Sequence, residues 1–305
     1  MADPRTSHVL PGYTVLGQIG VGGTATVHRA RHDASGTDVA IKVLTAPPAD
    51  ERAQKQFSRE TSALAALGWH PNVVVLHEVG TTGRGHPFIA MELLAGGSLD
   101  GRVPLPHDAA TALAVSVAGA LDAAHSQGVL HRDVKPANIL LDAAGMPKLA
   151  DFGISGIVDA THTSGMGMTL NHVAPEVVDG GTATVRSDVY SLASTLYELL
   201  AGEPPFTVPQ SAALVTLLLK ILDSPAPDLR DHGVPADLAA VVADGLAKDP
   251  AQRPASARDL GRRLQLVQSA HRWATTPMAL PSRSASAPGP TDPGTLPMDA
   301  LPDIR

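Results

Sequence analysis

Eight residues in the middle of the chain constrain its fold and chemistry more than any other feature: His131-Arg132-Asp133-Val134-Lys135-Pro136-Ala137-Asn138. They follow a segment with helical apolar spacing and precede the strand-like run Ile139–Leu141. Taken singly, His131 could be a core histidine and Lys135 a solvated loop charge, so the loop is informative together with the other motifs. Two further motifs follow in order, Asp151-Phe152-Gly153 and Ala174-Pro175-Glu176.

A glycine-rich turn and a lysine precede this loop. Gly20, Gly22 and Gly23 join the first two strand-like runs, and glycines allow backbone N–H groups to approach a phosphate, although a plain hairpin turn explains the same residues. Lys42 ends the apolar run 39–42, where a lysine is either solvated at an edge or needs an internal anion. Glu60 lies on or beside the apolar stripe of the helix predicted over 50–67, a stripe that passes through Glu60 or Thr61. We therefore predict a Lys42–Glu60 ion pair that positions the lysine for the phosphates of a nucleotide.

Taken in order, these motifs resemble those of the bacterial eukaryotic-type (Hanks-type) serine/threonine protein kinases over about residues 13–270. The resemblance implies an α+β, two-lobed protein-kinase fold, with a small β-rich lobe containing one main helix and a larger helical lobe. The predicted divisions are a leader at 1–12, an N-lobe at 13–91, a hinge at 92–97 and a C-lobe at 98–270. Residues 271–305 are rich in Pro, Ser and Thr, which predicts a disordered tail.

The resemblance also implies a reaction, in which the γ-phosphoryl group of ATP passes to Ser/Thr hydroxyls of protein substrates. Asp133 would accept or orient the proton of the substrate hydroxyl, and Lys135 would balance charge on the transferring group. Asn138 and Asp151 would hold Mg²⁺, with Mn²⁺ as an alternative ion.

The same resemblance implies a nucleotide pocket. Met91 would be the gatekeeper, and the backbone of Glu92 and Leu94 would bond the adenine. The full set implied to contact ATP is Ile19, Gly20, Gly22, Gly23, Val27, Ala40, Lys42, Met91, Glu92, Leu94 and Leu140.

The segment between the second and third motifs carries candidate regulatory hydroxyls. Thr161 and Thr163 are predicted sites of activating autophosphorylation, because Arg132 would otherwise be a cation without a partner; ordinary loop hydroxyls are the alternative. Thr169 matches a threonine that contacts the catalytic Asp and Lys in the family. Met168 and His172 depart from the family's Gly and Tyr, which puts the shape of the peptide-docking floor in doubt.

Two scaffold contacts are implied as well. Asp188 would hold the backbone of the catalytic loop, and Glu176 would form a buried ion pair with Arg253.

Composition excludes several other classes. The net charge is −7 without a basic cluster, which argues against nucleic-acid binding, and the absence of cysteine excludes disulfides, thiolate zinc sites and a Cys nucleophile. No apolar run reaches the ~18 residues of a membrane span, and no signal-peptide core follows the first residues, so we expect a cytoplasmic protein.

The sequence leaves two alternative functions open. A nucleotide-binding pseudokinase is supported by Ala25, Met168 and His172, and a small-molecule phosphotransferase is disfavoured by the segment ending at Glu176. Protein substrates bearing Ser or Thr are the implied partners, and homodimerisation through the small lobe is implied only by the resemblance.

Overall fold

We describe a computed structural model of the chain over residues 10–23, 25–47, 50–152, 170–209 and 214–280. Gly153 and the predicted sites Thr161, Thr163 and Thr169 lie outside the described residues. None of the helices within these ranges combines the length and the apolar character that crossing a bilayer requires.

The smaller lobe is an antiparallel sheet of five strands with one helix, and the strand order is β1-β2-β3-β5-β4. The two faces of this sheet pack in different clusters, as β3 illustrates, because successive side chains of a strand point to opposite faces. Val39, Ile41 and Val43 pack in a small outer cluster, whereas Ala40 and Leu44 join the main core that continues into the larger lobe. Its elements are β1 (Tyr13–Val21), β2 (Ala25–His32), β3 (Asp38–Leu44), α1 (Glu51–Ala65), β4 (Leu76–Thr81) and β5 (Pro87–Glu92).

The larger lobe is mainly helical and carries a three-stranded sheet in the order β6-β7-β8. Its elements are β6 (Gly97–Ser98), α2 (His107–Ser126), β7 (Ile139–Leu141), β8 (Pro147–Leu149), α3 (Pro175–Val178), α4 (Val185–Ala201), α5 (Leu214–Asp223), α6 (Ala236–Gly245) and α7 (Ala257–Ala270). Short 3-10 helices cover Pro136–Asn138, Leu170–His172, Leu229–His232 and Pro250–Gln252.

The helix α4 forms the centre of this lobe, as its nearly uniform apolar character predicts. Thr184 and Ser187 form a reciprocal capping box at its start, which satisfies backbone donors that the first turn leaves free. Gly202 ends it with φ of 90°, a left-handed conformation that glycine adopts without a steric penalty. Thirteen of its residues are buried, from Ser187 to Leu200, so the helix is a rigid base for the loops that contact it.

The predicted α+β, two-lobed architecture is thus confirmed, with one local difference. The apolar run 73–79 predicts one strand, but β4 begins only at Leu76. Val73 instead forms an isolated parallel bridge with Leu149 of β8. The first part of this run therefore joins the two lobes, which a hydrophobic pattern alone does not distinguish from a continuous strand.

The predicted disordered tail needs a second correction. Within residues 271–280, Trp273 and Met278 pack against the main hydrophobic core. The remaining part, 281–305, lies outside the described residues.

Candidate active site

The side chains of the eight-residue loop converge on the carboxylate of Asp133. The Lys135 ammonium lies 2.8 Å from Oδ2 of Asp133, and Asn138 donates from Nδ2 to the same oxygen at 2.9 Å. Asn138 also donates to the backbone carbonyl of Asp133 at 2.7 Å. The Asp133 side chain keeps 33% of its surface exposed, so the carboxylate is fixed in position and still accessible.

The backbone of the loop is hydrogen-bonded to the buried carboxylate of Asp188, near the start of α4. Asp188 accepts hydrogen bonds from the backbone N–H of His131 and of Arg132, both at 2.8 Å, and from His125 at 2.8 Å. Burial alone would raise the pKa of Asp188, but the hydrogen bonds and the neighbouring histidines outweigh it and keep the pKa below its usual range. The predicted support of the loop by Asp188 is confirmed, and His125 is a partner that the sequence did not reveal.

His131 connects the catalytic loop to the segment that precedes Asp151. The Asp133 N–H donates to Nδ1 of His131, so Nε2 carries the proton and donates to the Ala150 carbonyl at 2.9 Å. Complete burial lowers the pKa of His131, in keeping with a neutral ring. The Phe152 ring packs on this histidine with a centroid distance of 4.6 Å. The neutral imidazole of His131 thereby links the loop that carries Asp133 to the segment that carries Asp151.

Two residues of the site have left-handed backbone conformations, which are unfavourable for side chains other than glycine. Arg132 has φ of 66° and Asp151 has φ of 58°. Such conformations cost of order 1–3 kcal/mol each and persist where the surroundings over-determine them. The Asp188 bond to the Arg132 N–H is one such constraint.

The predicted Lys42–Glu60 ion pair is wrong for this structure. Lys42 lies 3.0 Å from Oδ1 of Asp151, and its side chain is only 10% exposed. Glu60 instead accepts from Arg132 at 3.3 Å and from Gln56 at 3.2 Å. The physical premise holds, because each of these partly buried charges has an opposite partner, but four charges admit two pairings and spacing along the sequence does not choose between them.

The position of α1 accounts for this exchange of partners. Its buried stripe consists of Phe57, Thr61 and Leu64, which places Glu60 at the edge of the stripe and not at its centre. Thr61 is accommodated inside because its hydroxyl donates to the Phe57 carbonyl at 2.9 Å. Arg132, expected to have no partner until a phosphate arrives, is therefore already paired with Glu60.

The predicted nucleotide contacts of the small lobe share one face of its sheet. Val27 lies opposite both Gly20 and Lys42 in the strand register, and Ala40 lies opposite Met91. Directly opposed residues project to the same side of a sheet, so these side chains all face the larger lobe. The structure brings this predicted set together.

The remaining predicted contacts lie at the edges of the pocket. Ile19 occupies a bulge between Gln18 and Gly20 and is 53% exposed, while Gly22 closes the turn by donating to the Ala25 carbonyl at 2.8 Å. Gly23 follows in the same exposed turn. Leu140, in β7 of the larger lobe, packs against the main core with Val27.

The connection between the lobes is fixed by Glu92. Its side chain accepts from the Val75 N–H at 2.8 Å and from Lys148 at 2.6 Å. Leu94 follows in the chain, and its N–H has no acceptor within the part of the chain that the structure describes. A backbone donor is thus available beside the predicted pocket, and Lys148 is a structural partner that sequence analysis missed.

Asp151 and Asn138 are the residues predicted to hold a metal ion. Within the described ranges, no three His, Asp or Glu side chains come together in a way that could bind one. One carboxylate and one amide do fit Mg²⁺, which keeps several waters and is usually bound together with substrate phosphates. The Ala150 N–H donates to the Asn138 carbonyl at 2.9 Å, which holds the residue before Asp151 against Asn138. The donor set therefore suits a magnesium–nucleotide complex better than a metal held by protein alone.

His172, which stands where the family has Tyr, is held against α4. It is buried, with Nε2 2.9 Å from the Glu198 carboxylate and Nδ1 2.9 Å from the Ser194 hydroxyl. Ser191 donates to the His172 carbonyl at 2.8 Å. The departure from Tyr is therefore accommodated by three polar partners on α4, a compensation that one sequence does not display.

Comparison with known proteins agrees with this geometry. A protein-family profile described as "Protein kinase domain" matches residues 13–263. The serine/threonine-protein kinase PknK of Mycobacterium bovis is 39% identical over 276 residues, covering 88% of this chain and 25% of PknK. PknL of the same organism is 39% identical over 274 residues, covering 87% of this chain and 68% of PknL. The chain thus spans about a quarter of the length of PknK and about two thirds of PknL.

A solved structure has the same architecture. The crystal structure of the Mycobacterium tuberculosis PknI kinase domain matches with a TM-score of 0.65 at 32% sequence identity. The match covers 85% of this chain and 98% of that chain.

Proposed function

The chain belongs to the protein kinase family, and from this premise we propose that it transfers the γ-phosphoryl group of ATP to Ser/Thr hydroxyls of proteins. The observation that carries the proposal is the accessible Asp133 carboxylate, fixed by Lys135 and Asn138 within hydrogen-bond distance. Phosphoryl transfer requires mostly positioning and charge stabilisation from the protein, and this cluster provides both.

Each residue of the cluster has a distinct part in the proposed reaction. The substrate hydroxyl oxygen forms a bond to the γ-phosphorus, the bond to the ADP oxygen breaks, and Asp133 takes the hydroxyl proton. Lys135 remains beside both the carboxylate and the reacting group, where its charge offsets the negative charge of the transferring phosphoryl. Asn138 and Asp151 would hold Mg²⁺, which neutralises phosphate charge when it is bound.

The small lobe holds the nucleotide in this proposal. Val27, Ala40 and Met91 provide the apolar face of the sheet against one side of the adenine, with Leu140 on the other side. The Leu94 N–H and the Glu92 carbonyl form hydrogen bonds with the edge of the adenine. Lys42 contacts the phosphates, which places an anion beside its buried ammonium in addition to Asp151.

Substitution of Lys42 tests this proposal. We expect Lys42→Met to lower the rate of label transfer from [γ-³²P]ATP to a Ser/Thr protein substrate by roughly 10²–10³-fold, because a buried cation at the phosphates is lost. The measurement is label incorporation with Mg²⁺, followed by identification of the phosphorylated amino acid.

Lys55→Met is the matched control, since Lys55 is 76% exposed on α1 and its ion pair among the described residues is with Glu51. It should retain the activity of the unaltered chain. Nucleotide binding without any label in Ser or Thr would contradict the proposed transfer and favour the pseudokinase alternative.

The residues 161 and 163 carry a separate prediction about activation. If autophosphorylation there activates the enzyme by drawing Arg132 away from Glu60, the double variant Thr161→Ala/Thr163→Ala loses activity by roughly tenfold, the effect of one charge-assisted hydrogen bond to Arg132. The measurement is the rate of phosphoryl transfer after preincubation with ATP. Phosphosites are mapped in the unaltered protein and in the double variant. Thr37→Ala, an exposed threonine of the β2–β3 turn, serves as control. Unchanged activity in the double variant would refute the idea.

Two further proposals concern where the protein is located and how it assembles. The resemblance supports a cytoplasmic location and homodimerisation through the small lobe, and sedimentation of the purified chain at several concentrations tests the second of these.

A further inference from the structure

The segment after α7 has specific contacts that the proposed reaction does not use. We propose that residues 273–280 form a strap that docks on α2 and α7 and fixes the turn between α1 and β4 through His70, which couples the strap to the strand that leads to Asp151. This inference is independent of catalytic activity.

The strap begins with a double hydrogen bond to a buried side chain. Gln268 is fully buried in α7, and its Nε2 donates to the Thr276 hydroxyl at 2.9 Å, while its Oε1 accepts from the Thr276 N–H at 3.0 Å. Gln265 adds a third bond, to the Thr276 carbonyl at 2.8 Å. A buried amide without these partners would carry an uncompensated desolvation penalty, so the helix is complementary to this segment and not merely adjacent to it.

Two glycines in helix interiors make room for the next residues of the strap. A Cβ on Gly119 of α2 would lie 2.8 Å from the Ala279 carbonyl oxygen and 3.1 Å from Cγ of Met278. A Cβ on Gly261 of α7 would lie 2.7 Å from Sδ of Met278, although it would also meet Ala118 at 3.1 Å. Glycine in a helix interior is destabilising relative to alanine, so its presence needs a reason. At Gly119 the three nearest atoms all belong to the strap, which supplies that reason.

Near its end, the strap is hydrogen-bonded to His70 of the small lobe. Nδ1 of His70 accepts from the Asn72 N–H at 3.1 Å, so Nε2 carries the proton and donates to the Ala279 carbonyl at 3.1 Å. Burial lowers the pKa of His70, which is consistent with this neutral form. The ring therefore bonds the strap with one nitrogen and the α1–β4 turn with the other.

The turn between α1 and β4 is itself hydrogen-bonded to β8, the strand before Asp151. Asn72 donates to the Pro147 carbonyl at 2.8 Å and accepts from the Leu149 N–H at 2.8 Å. Val74 donates to the Leu149 carbonyl at 3.1 Å, and Leu149 precedes Asp151 by two residues. A continuous path of hydrogen bonds thus runs from Ala279 through His70 and Asn72 to β8. Disturbing the strap should therefore loosen the α1–β4 turn as well.

Two full-length variants that disturb the strap at different points test the proposal by amide hydrogen exchange. Thr276→Val removes the acceptor of the Gln268 amide, and Gly119→Ala places a methyl group against Ala279. We expect each to speed exchange roughly tenfold, the effect of one hydrogen bond, both at 273–280 and at the amides of 72–74. Thr275→Val is the matched control, because Thr275 is exposed beside Thr276, and it should leave both regions unchanged.

The sign of the stability change at Gly119 provides a second measurement. Gly→Ala in a helix interior ordinarily raises the melting temperature, whereas a docked strap makes Gly119→Ala lower it. A rise in melting temperature with unchanged exchange would overturn the proposal. So would unprotected amides at 273–280 in the unaltered chain, or faster exchange at 273–280 that does not extend to 72–74.

Discussion

Asp133→Asn should reduce phosphoryl transfer by about 10²–10⁴-fold without unfolding the protein, which is the range that a general base contributes. The amide has nearly the same shape as the carboxylate but cannot take the proton of a substrate hydroxyl. It also removes the anion that lies 2.8 Å from the Lys135 ammonium. The measurement is the rate of label transfer from [γ-³²P]ATP at saturating nucleotide and Mg²⁺.

The control for this variant must make the same chemical change away from the cluster. Asp142→Asn does so, because within the described part of the chain the Asp142 carboxylate accepts the backbone N–H groups of Ala144 and Met146 in an exposed turn, and an amide oxygen can accept them as well. Nucleotide affinity and melting temperature should be nearly the same in both variants. An Asp133→Asn protein that keeps more than about a tenth of the normal rate would remove Asp133 from the proposed role.

The contacts among the side chains of the eight-residue loop were predictable because they are local. Asp133, Lys135 and Asn138 lie within six consecutive positions, so the 3-10 turn over Pro136–Asn138 is enough to bring them together. The same holds for β3, where alternation alone separates the side of Lys42 from the side of Ile41. A local pattern determines such contacts, and one sequence displays it fully.

Contacts between distant elements were predictable only in part. The ion pair of Glu176 and Arg253 followed from the family resemblance and is confirmed, whereas the partner of Lys42 was predicted wrongly. Choosing between Glu60 and Asp151 depends on the position of α1 as a rigid body, which its amphipathic pattern does not specify. Hydrophobic spacing indicates which face of a helix is buried, but it does not determine the distance between that helix and the elements it packs against.

The ordered strap was missed for a related reason. Composition averaged over 271–305 is rich in proline and serine and predicts disorder, but the first ten of these residues include Trp273 and Met278, which contact the core. The complementary signals were present elsewhere, as Gly119 inside α2 and as a glutamine on the apolar face of α7. Each is unremarkable alone, and only the fold shows that they surround the same segment.

The ion pair between Glu176 and Arg253 leads to the largest expected effect on stability. The Arg253 side chain is fully buried, and it donates to both carboxylate oxygens of Glu176, at 2.9 and 2.7 Å. It also donates to the carbonyls of Arg186, Ala247 and Lys248, which joins α3, the start of α4 and the segment after α6. Arg253→Met removes one donor from each of these three carbonyls and both guanidinium donors from the partly buried Glu176 carboxylate, which keeps the hydrogen bond from the Ser187 hydroxyl. We expect the free energy of unfolding to fall by about 3–5 kcal/mol, and the melting temperature by roughly 10 °C.

Arg263→Met is the matched control, because Arg263 is also paired with carboxylates but is 39% exposed, so its loss should cost no more than about 1 kcal/mol. Urea unfolding at several pH values separates the two cases further. Burial tends to raise the pKa of Glu176, but the hydrogen bonds from Arg253 and Ser187 outweigh it and hold the pKa below its ordinary value of 4.5. The stabilisation is therefore fully present above that value and is lost as the pH falls through the lower pKa of the folded state. The difference between the unaltered chain and Arg253→Met should narrow in acid, whereas equal losses for Arg253→Met and Arg263→Met at neutral pH would show that the buried pair does not hold the lobe together.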